Sequence, residues 1–345
     1  MATYNAELDR EGPGLLLRDI VRGEDAQIAA VVAVIAEVAP DILLLQRFDY
    51  DHDLIALSAF VDTLREAGID YPHLFALPPN SGVATGLDMD GNGRLGEARD
   101  TQGYGDFSGQ GGMALLSHYP IDDVGVRDFT TLLWKDFPGA LLPMMDGAPF
   151  PSPEAQEVQR LSSVGHWDVP VVLPGGTRLH LLSWHGTTPV FDGEEDRNGR
   201  RNHDETVFWA GYLDGILAEP APDAPFIVLG DANLDPIDGD GRGEAIWALL
   251  AHPLLHDPEP QSDGGAQAAN QGGINARQRG DPAFDTADWP DTGGKPGNMR
   301  VDYVLPSRDQ EVVASGVFWP ASGPMAEVVA IASRHRMVWV DIQLP

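Results

Sequence analysis

Residues 226–236, FIVLGDANLDP, decide the fold, because an apolar run ends abruptly in an acidic and amide-rich turn. The apolar part has the composition of a strand that is buried on both faces. Asp231 and Asn233 follow where that strand would leave the core. Polar groups at such a place are positioned by the core and still reach solvent, so this stretch predicts a buried strand that leads into a functional site.

Three other segments have the same design. They are TYNAEL with Asn5, HLLSWHGTTP with His185, and SRHR with His335, which precedes the alternating apolar strand MVWVDI. Each also fits an ordinary structural role when it is taken alone, such as an Asx-turn for GDAN or a hydrogen-bonded core histidine for His185. Four polar strand ends in one chain favour convergence on a single site.

The remaining pattern predicts an α/β protein in which strands outnumber helices. Helices are expected at 25–38, at 54–66 and from residue 202, where Asn202 and Glu205 have the spacing of a capping box. The predicted strands are 3–8, 41–46, 71–77, 113–117, 169–173, 178–184, 226–229, 301–305, 311–318 and 337–342. No linker divides the chain, which predicts one domain over residues 1–345, with sheet packed on sheet and helices outside. Long loops rich in Gly, Pro and Asp are expected near 78–112, 129–160 and 258–297.

Composition limits the function. The chain has 53 acidic and 22 basic residues and a formal charge of −31, so it repels nucleic acid, which becomes an unlikely partner. A local cationic pocket can still accept a small anionic substrate. The absence of cysteine excludes disulfides, zinc-thiolate sites and thiol catalysis. No apolar stretch approaches the roughly 20 residues of a membrane span.

The ordered motifs resemble those of the endonuclease/exonuclease/phosphatase superfamily, also called DNase I-like. The motifs, in chain order and over essentially the whole chain, are Asn5, LLLQ, His185, GDAN, RVDYVLPS and Ser333-x-His335. The resemblance implies a four-layer α-β-β-α sandwich of two mixed, mostly antiparallel sheets flanked by helices. It also implies hydrolysis of phosphate esters by in-line attack of water, aided by a divalent metal such as Mg²⁺ or Mn²⁺.

Three segments resemble a narrower, often secreted bacterial subgroup of this superfamily. They are VFDGEEDRNGRRNHDE, DMDGNGRLG and GNMRVDYVLPS. An extracytoplasmic location is slightly favoured by that resemblance. The first residues, MATYN, do not look like a signal peptide, which leaves a cytoplasmic protein or a processed secreted protein open, and the oligomeric state is not predicted.

The resemblance assigns roles to particular residues. Asp231 would bind or activate the attacking water, and Asn5 and Asn233 would hold that water or the phosphate. His335, oriented by Asp302, would hydrogen-bond a phosphoryl oxygen.

Further residues are assigned to the rim of the site. His185 would assist on the side opposite His335, and Arg160 lies near the place of a phosphate-contacting arginine in the family. The segment 194–203 concentrates Arg197, Arg200 and Arg201, which either recognise an anion at the pocket rim or form salt bridges where a helix begins.

Two positions depart from the family pattern. Arg47 stands where the family has a metal-binding glutamate after LLLQ, and Arg334 stands where it has a metal-supporting aspartate before the last histidine. Guanidinium groups cannot hold a cation that prefers oxygen ligands. A cation could instead move to Asp49, Asp51 and Asp53, which alternation would place on one face.

The two arginines allow three further interpretations. They could replace the metal electrostatically and grip an anion directly, hydrolysis could be lost, or they could be surface residues that pair with the abundant acids. The leading hypothesis is a phosphoesterase-like hydrolase that acts on a small phosphate ester with an altered metal site. The alternative is a repurposed non-hydrolytic anion-binding protein, or an enzyme that acts on a non-phosphate anionic substrate.

A possible calcium loop lies at residues 88–100. Asp88, Asp90 and Asn92 occupy positions one, three and five of such a loop. The twelfth position is Arg99 and not Glu, so Glu97 or Asp100 would have to complete the coordination of Ca²⁺. The segment DPIDGDGRGE, 235–244, is a weaker candidate that also fits an acidic turn before a helix.

Overall fold

The computed structural model describes residues 1–344 and contains two large β-sheets. The strands are β1 Ala2–Leu8, β2 Ile42–Phe48, β3 His73–Phe75, β4 Gly112–Ser117, β5 Arg127–Asp128, β6 Met144–Met145, β7 Ala148–Pro149, β8 His166–Val172, β9 Arg178–His185, β10 Phe226–Asp231, β11 Ala287–Asp288, β12 Asn298–Met299, β13 Asp302–Pro306, β14 Val312–Phe318 and β15 Met337–Ile342. The helices are α1 Leu15–Arg22, α2 Ala26–Val38, α3 Ile55–Glu66, α4 Pro153–Val158, α5 Arg197–Leu213, α6 Glu244–Leu250, α7 Asp263–Ala268 and α8 Pro324–Ala332. None of the helices in this part of the chain is long and apolar enough to cross a membrane.

The strand order explains how distant motifs meet. The first sheet has the order β14-β15-β1-β2-β4-β3, and the second has the order β13-β10-β9-β8-β5. Each sheet contains one parallel pair, β1 with β2 and β9 with β10, while the other pairs are antiparallel. The prediction of an α/β fold with two mixed, mostly antiparallel sheets is therefore confirmed.

Strand β10 shows how its residues position the site. Ile227 and Leu229 join the large core cluster that also contains side chains of the first sheet, whereas Val228 joins the cluster formed with α5 and α6. Successive side chains of a strand point to opposite faces. Asp231 is an even number of residues from Ile227 and Leu229. Its carboxylate therefore lies on the same face of β10 as their side chains, which is the face that meets the first sheet.

The predicted helix start at residue 202 is wrong, because α5 begins at Arg197. Asn202 therefore lies inside α5, where its Nδ2 donates to the carbonyl oxygens of Thr187 and Ala232, both at 2.7 Å. Glu205 accepts the backbone N–H groups of Ser163 and Thr187, both at 2.6 Å. These side chains do not cap α5. They satisfy backbone groups of the loops beside the site.

The alternating acidic segment after β2 also differs from its prediction. The strand ends at Phe48, so Asp49, Asp51 and Asp53 do not share one strand face. Asp49 accepts the backbone N–H groups of Arg10 and Gly111, both at 2.9 Å. The two carboxylate oxygens of Asp49 are thus used to join the ends of β1 and β2 to the loop before β4.

Asp51 binds the first backbone N–H groups of α3 from outside the helix. Its carboxylate accepts the backbone N–H groups of Ile55 at 2.7 Å and Ala56 at 2.8 Å. Asp51→Ala should therefore lower the free energy of unfolding by about 0.5–2 kcal/mol. Urea denaturation measures the change, with the exposed Asp53→Ala as the matched control. Equal effects of the two substitutions would contradict a capping role.

Candidate active site

The strand ends of both sheets meet around Asp231. Within the second sheet Asp231 pairs with His185 of β9 on one side and with Asp302 of β13 on the other. Asn5 of β1 reaches Asp231 from the first sheet, and its Nδ2 donates to Asp231 Oδ2 at 2.8 Å. His335 lies just before β15, the neighbour of β1. The fold thus brings four polar strand ends together, as their common design suggested.

Short polar contacts connect the central groups. His335 Nε2 lies 3.4 Å from Asn5 Nδ2, and His335 Nδ1 lies 2.9 Å from Asp302 Oδ2. The same Nδ1 atom is 3.9 Å from Asp231 Oδ2. All four side chains are almost fully buried. The imidazole is consequently held between two carboxylates.

Two supporting residues were not found from the sequence. Thr286 donates its hydroxyl to Asp302 Oδ2 at 2.8 Å and accepts the backbone N–H of Asp302 at 3.0 Å. Trp289 places its ring edge-on against the His335 ring, with centroids 5.2 Å apart. Both residues belong to the loop that precedes β13, and a threonine or a tryptophan in a loop carries no motif that would identify it.

The burial and pairing of these groups shift their pKa values. Burial lowers the pKa of His335, but the carboxylates of Asp302 and Asp231 outweigh it and raise the value to about 9. Burial, together with the Asp302 charge, raises the pKa of Asp231 to about 7. A His335 cation and an Asp231 carboxylate therefore coexist near pH 8.

His185 has the opposite protonation. Burial, followed by the nearby charges of Arg47 and His335, lowers the pKa of His185 to about 3, so its ring is neutral. Its Nε2 lies 3.5 Å from Asp231 Oδ2. Its Nδ1 is buried and has no hydrogen-bond partner within residues 1–344.

Asn233 has a left-handed backbone with φ of 50°. Its backbone N–H donates to Asp231 Oδ1 at 2.8 Å, so the GDAN segment does form an Asx-turn. Its Nδ2 donates to the carbonyl oxygen of Gly186 at 3.0 Å and lies 3.3 Å from Asp231 Oδ2. The turn and the placement of the amide beside Asp231 are thus two results of the same local geometry.

Arg47 and Arg334 are paired with carboxylates of β1. Arg334 Nε donates to Glu7 Oε1 at 2.9 Å, its Nη2 contacts the same oxygen, and its backbone N–H donates to Glu7 Oε2 at 2.9 Å. Arg47 Nη2 donates to Asp9 Oδ2 at 2.7 Å, and its Nη1 is 3.6 Å from Glu7 Oε1. Glu7 was missed from the sequence, although it stands only two residues after Asn5.

The other predicted arginines contact loops. Arg160 donates to Asn80 Oδ1 at 2.6 Å, Arg197 donates to Gln159 Oε1 at 2.7 Å, and Arg200 Nε donates to the Glu195 carbonyl at 3.1 Å. The buried guanidinium of Arg201 donates to four backbone carbonyl oxygens, those of Gln102, Arg160, Leu161 and Ser162. Within residues 1–344 the structure records no contact of these arginines with the Asp231 group. Their substrate-binding role stays a prediction.

The predicted calcium loop brings three carboxylates together. Ligand atoms of Asp88, Asp90 and Asp100 lie within 4.8 Å of one another. Their oxygens already accept hydrogen bonds from the loop itself, including Gly91 and Gly93 to Asp88. The amide nitrogen of Asn92 donates to Asp90 Oδ2 at 3.0 Å. Calcium binding there stays a prediction.

Another group with metal-ligand spacing lies inside the site. Each of Asp231, Asp302 and His335 offers one possible ligand atom, and these three atoms lie within 4.8 Å of one another. All three residues are buried. In this group the His335 ring is hydrogen-bonded to Asp302, and the Asp231 oxygens are hydrogen-bonded to asparagines. The spacing alone therefore does not assign a metal site, because ring and carboxylate atoms of this group are already hydrogen-bonded to each other.

The chain belongs to the Endonuclease/Exonuclease/phosphatase family, whose model matches residues 2–335. Members of this family generally hydrolyse phosphate esters, commonly with divalent metals. A comparison with curated proteins finds no match.

Solved structures show the same fold at low sequence identity. An endonuclease/exonuclease/phosphatase from Beutenbergia cavernae DSM 12333 is 17% identical with a TM-score of 0.55, and the match covers 99% of this chain and 70% of that one. An endonuclease/exonuclease/phosphatase family protein from Leptotrichia buccalis C-1013-b is 16% identical with a TM-score of 0.54, and the match covers 99% and 98% of the two chains.

Proposed function

We propose that this protein hydrolyses a small phosphate ester at the Asp231 site. The observation that carries the proposal is the buried group of Asn5, Asp231, His335 and Asp302 at the joined strand ends of both sheets, in which Asn5 donates to Asp231 and His335 donates to Asp302. This set pairs a carboxylate of raised pKa with a stabilised imidazolium. Such a pair supplies a general base and a cationic hydrogen-bond donor at one place.

The proposed reaction uses these groups in a single displacement. Asp231 accepts a proton from a water molecule while the water oxygen attacks phosphorus. The bond from phosphorus to the ester oxygen breaks, and the leaving group departs in line. The His335 cation donates a hydrogen bond to a phosphoryl oxygen, where negative charge accumulates. Asn5 and Asn233 orient the water or the phosphate beside the carboxylate.

The proposal also includes an altered metal site, in which Arg47 and Arg334 replace two acidic residues of the family. Arg47 forms ion pairs with Glu7 and Asp9, and Arg334 forms an ion pair with Glu7. Within residues 1–344, Nη1 of Arg334 and Nε of Arg47 form no hydrogen bond, and these side chains are 53% and 36% exposed. We assign these free N–H groups to the substrate anion.

A small substrate follows from the charge of the whole chain. A surface with a formal charge of −31 opposes a polyanion such as nucleic acid far more than a compact phosphate ester.

We further propose that residues 1–345 form one catalytic domain that acts outside the cytoplasm. Binding of Ca²⁺ in loop 88–100 is a separate structural prediction.

Hydrolysis of model substrates tests the proposal. Metal-stripped protein is assayed with a generic phosphodiester, a generic phosphomonoester and duplex DNA, before and after separate addition of Mg²⁺, Mn²⁺ or Ca²⁺. We expect turnover of at least one small ester, little cleavage of DNA, and loss of turnover in His335→Gln. If no condition gives turnover but phosphate binds, the protein is an anion-binding protein or acts on a non-phosphate anion, and the proposal is wrong.

The pH dependence of hydrolysis provides an independent prediction. The active form needs Asp231 ionised and His335 protonated. Activity should therefore rise with pH through about 7 as Asp231 loses its proton, and fall through about 9 as His335 loses its own. Measuring kcat/KM between pH 5 and 10.5 as a bell-shaped profile checks this order, because kcat/KM reports the pKa values of the free enzyme. A profile that is flat from about pH 6 to 8 would exclude Asp231 as the base.

A further inference from the structure

Two matched β-bulges shape the site at the places where the sequence departs from the family. On β1, pairing with β2 is regular to Asn5 and resumes at Leu8. On β2, pairing with β4 is regular to Gln46 and resumes at Phe48. The bulged residues, Glu7 with φ of 48° and Arg47 with φ of 52°, have left-handed backbones. A bulge redirects a side chain, and here two neighbouring strands redirect opposite charges toward each other.

The Glu7 carboxylate is the centre of the resulting ion-pair network. It accepts the backbone N–H and the Nε of Arg334, both at 2.9 Å, and lies 3.6 Å from Arg47 Nη1. The Ser333 hydroxyl lies 3.3 Å from Glu7 Oε2, donates to the Asn5 carbonyl at 2.8 Å, and accepts the backbone N–H of His335 at 3.0 Å. Ser333 thereby connects the network to the backbone of His335.

The network is charge-balanced. Arg47 and Arg334 contribute two positive charges, while Glu7 and Asp9 contribute two negative charges. Burial alone would raise the pKa of Glu7, but its bonds to Arg334 lower the value to about 2, so Glu7 is ionised at any ordinary pH. In the family arrangement, two carboxylates and one dication also sum to zero.

The residues at this position do not fit a divalent cation. The Glu7 carboxylate is already held by two guanidinium groups, and the Asn5 side-chain oxygen accepts the backbone N–H of Glu7 at 3.3 Å. A dication placed among Asn5, Arg47 and Arg334 would lack free anionic ligands and would be repelled by both arginines.

We propose that the Glu7–Arg47–Asp9–Arg334 network takes the place of the divalent cation, so that this site works without a metal ion. The role in catalysis rests on the proposed hydrolase function, whereas exclusion of the ion does not. Glu7 and Asp9 are positioning residues: they hold the guanidinium groups at the rim and do not contact the reacting atoms.

Binding of Mn²⁺ tests this inference without any assay of activity. Metal-stripped wild-type protein is compared with Arg47→Glu/Arg334→Asp, which restores acidic residues at both positions. The matched control is Arg22→Glu/Arg277→Asp, which makes the same change of charge at two exposed arginines. Free Mn²⁺ is followed by electron paramagnetic resonance, and its location by broadening of the nuclear magnetic resonance signals of the His335 ring.

We expect wild type and control to show no broadening of His335 at Mn²⁺ concentrations up to about 1 mM, and the site variant to bind one additional ion at least about tenfold more tightly. Wild-type hydrolysis should also persist in chelator. If the double variant fails to fold, the single Arg334→Asp variant is used with the same expectation and Arg277→Asp as its control.

Two results would overturn the inference. The first is a Mn²⁺ ion in the wild-type protein that broadens the His335 signals. The second is a site variant that gains no ion relative to its control. Because these measurements concern binding, they decide the inference even if no phosphate ester is turned over, which would instead contradict the proposed function.

Discussion

Asp231→Asn is expected to lower kcat by about 10²–10⁴ without unfolding the protein. The amide has the size of the carboxyl group and can still accept from Asn5 or Asn233, but it cannot take a proton from water. The Asp231 carboxylate is buried at the meeting point of the two sheets and has a pKa raised to about 7. Steady-state hydrolysis of the best small ester near pH 8 measures the loss.

The stability of the same variant should change little. A folded-state pKa above the unfolded value means that ionised Asp231 opposes folding as the pH rises through about 7. The amide removes this charge, but it also removes an anion that stabilises the His335 cation, so the two effects on the midpoint of thermal unfolding at pH 8 oppose each other. Loss of activity could then not be attributed to unfolding.

Asp204→Asn is the matched control for this experiment. Asp204 is also buried, and its carboxylate accepts Trp134 Nε1 at 2.6 Å and the Leu141 backbone N–H at 2.7 Å, away from the Asp231 group. We expect a lower thermal midpoint and nearly unchanged kcat. If Asp231→Asn retained more than about a tenth of the wild-type kcat, Asp231 would not be the general base.

The sequence was sufficient for the parts of the fold that depend on regular periodicity. Strand β10 was visible as an apolar run, and its side chains alternate between two core clusters as a strand buried on both faces requires. The start of α5 was missed because the polar residues Asn202 and Glu205 look like a cap, whereas they bind loop backbone groups. Hydrogen bonds to distant loops thus determine the roles of Asn202 and Glu205, which local spacing does not distinguish from helix capping.

The site was predictable only where motifs carry it. Motifs predict Asn5, Asp231 and His335, which the fold brings together, but no motif predicts Glu7, because its contact with Arg47 depends on bulges in two strands. A bulge is an interruption of pairing between strands, so one strand's sequence does not reveal it. The roles of Arg47 and Arg334 therefore depend on carboxylate partners that the sequence does not reveal.

Asp302→Asn should both slow hydrolysis and move its pH profile to lower pH. Asp302 Oδ2 accepts from Thr286 at 2.8 Å and faces His335 Nδ1 at 2.9 Å, so the carboxylate fixes the proton on Nδ1. An amide that presents its NH₂ group to the ring opposes a proton on Nδ1 and so lowers the fraction of the His335 cation. By analogy with the aspartate of a catalytic triad, kcat at pH 8 should fall by about 10²–10⁴.

The direction of the pH shift separates a positioning role from mere loss of packing. Asp302 raises the pKa of both Asp231 and His335, so its neutral replacement should move the acid limb below 7 and the alkaline limb below 9. Asp285→Asn removes another buried carboxyl group, one that lies in the segment next to Thr286, and should leave both limbs in place. If both limbs of the Asp302→Asn profile stay at the wild-type pH values, Asp302 does not set the charge states of Asp231 and His335.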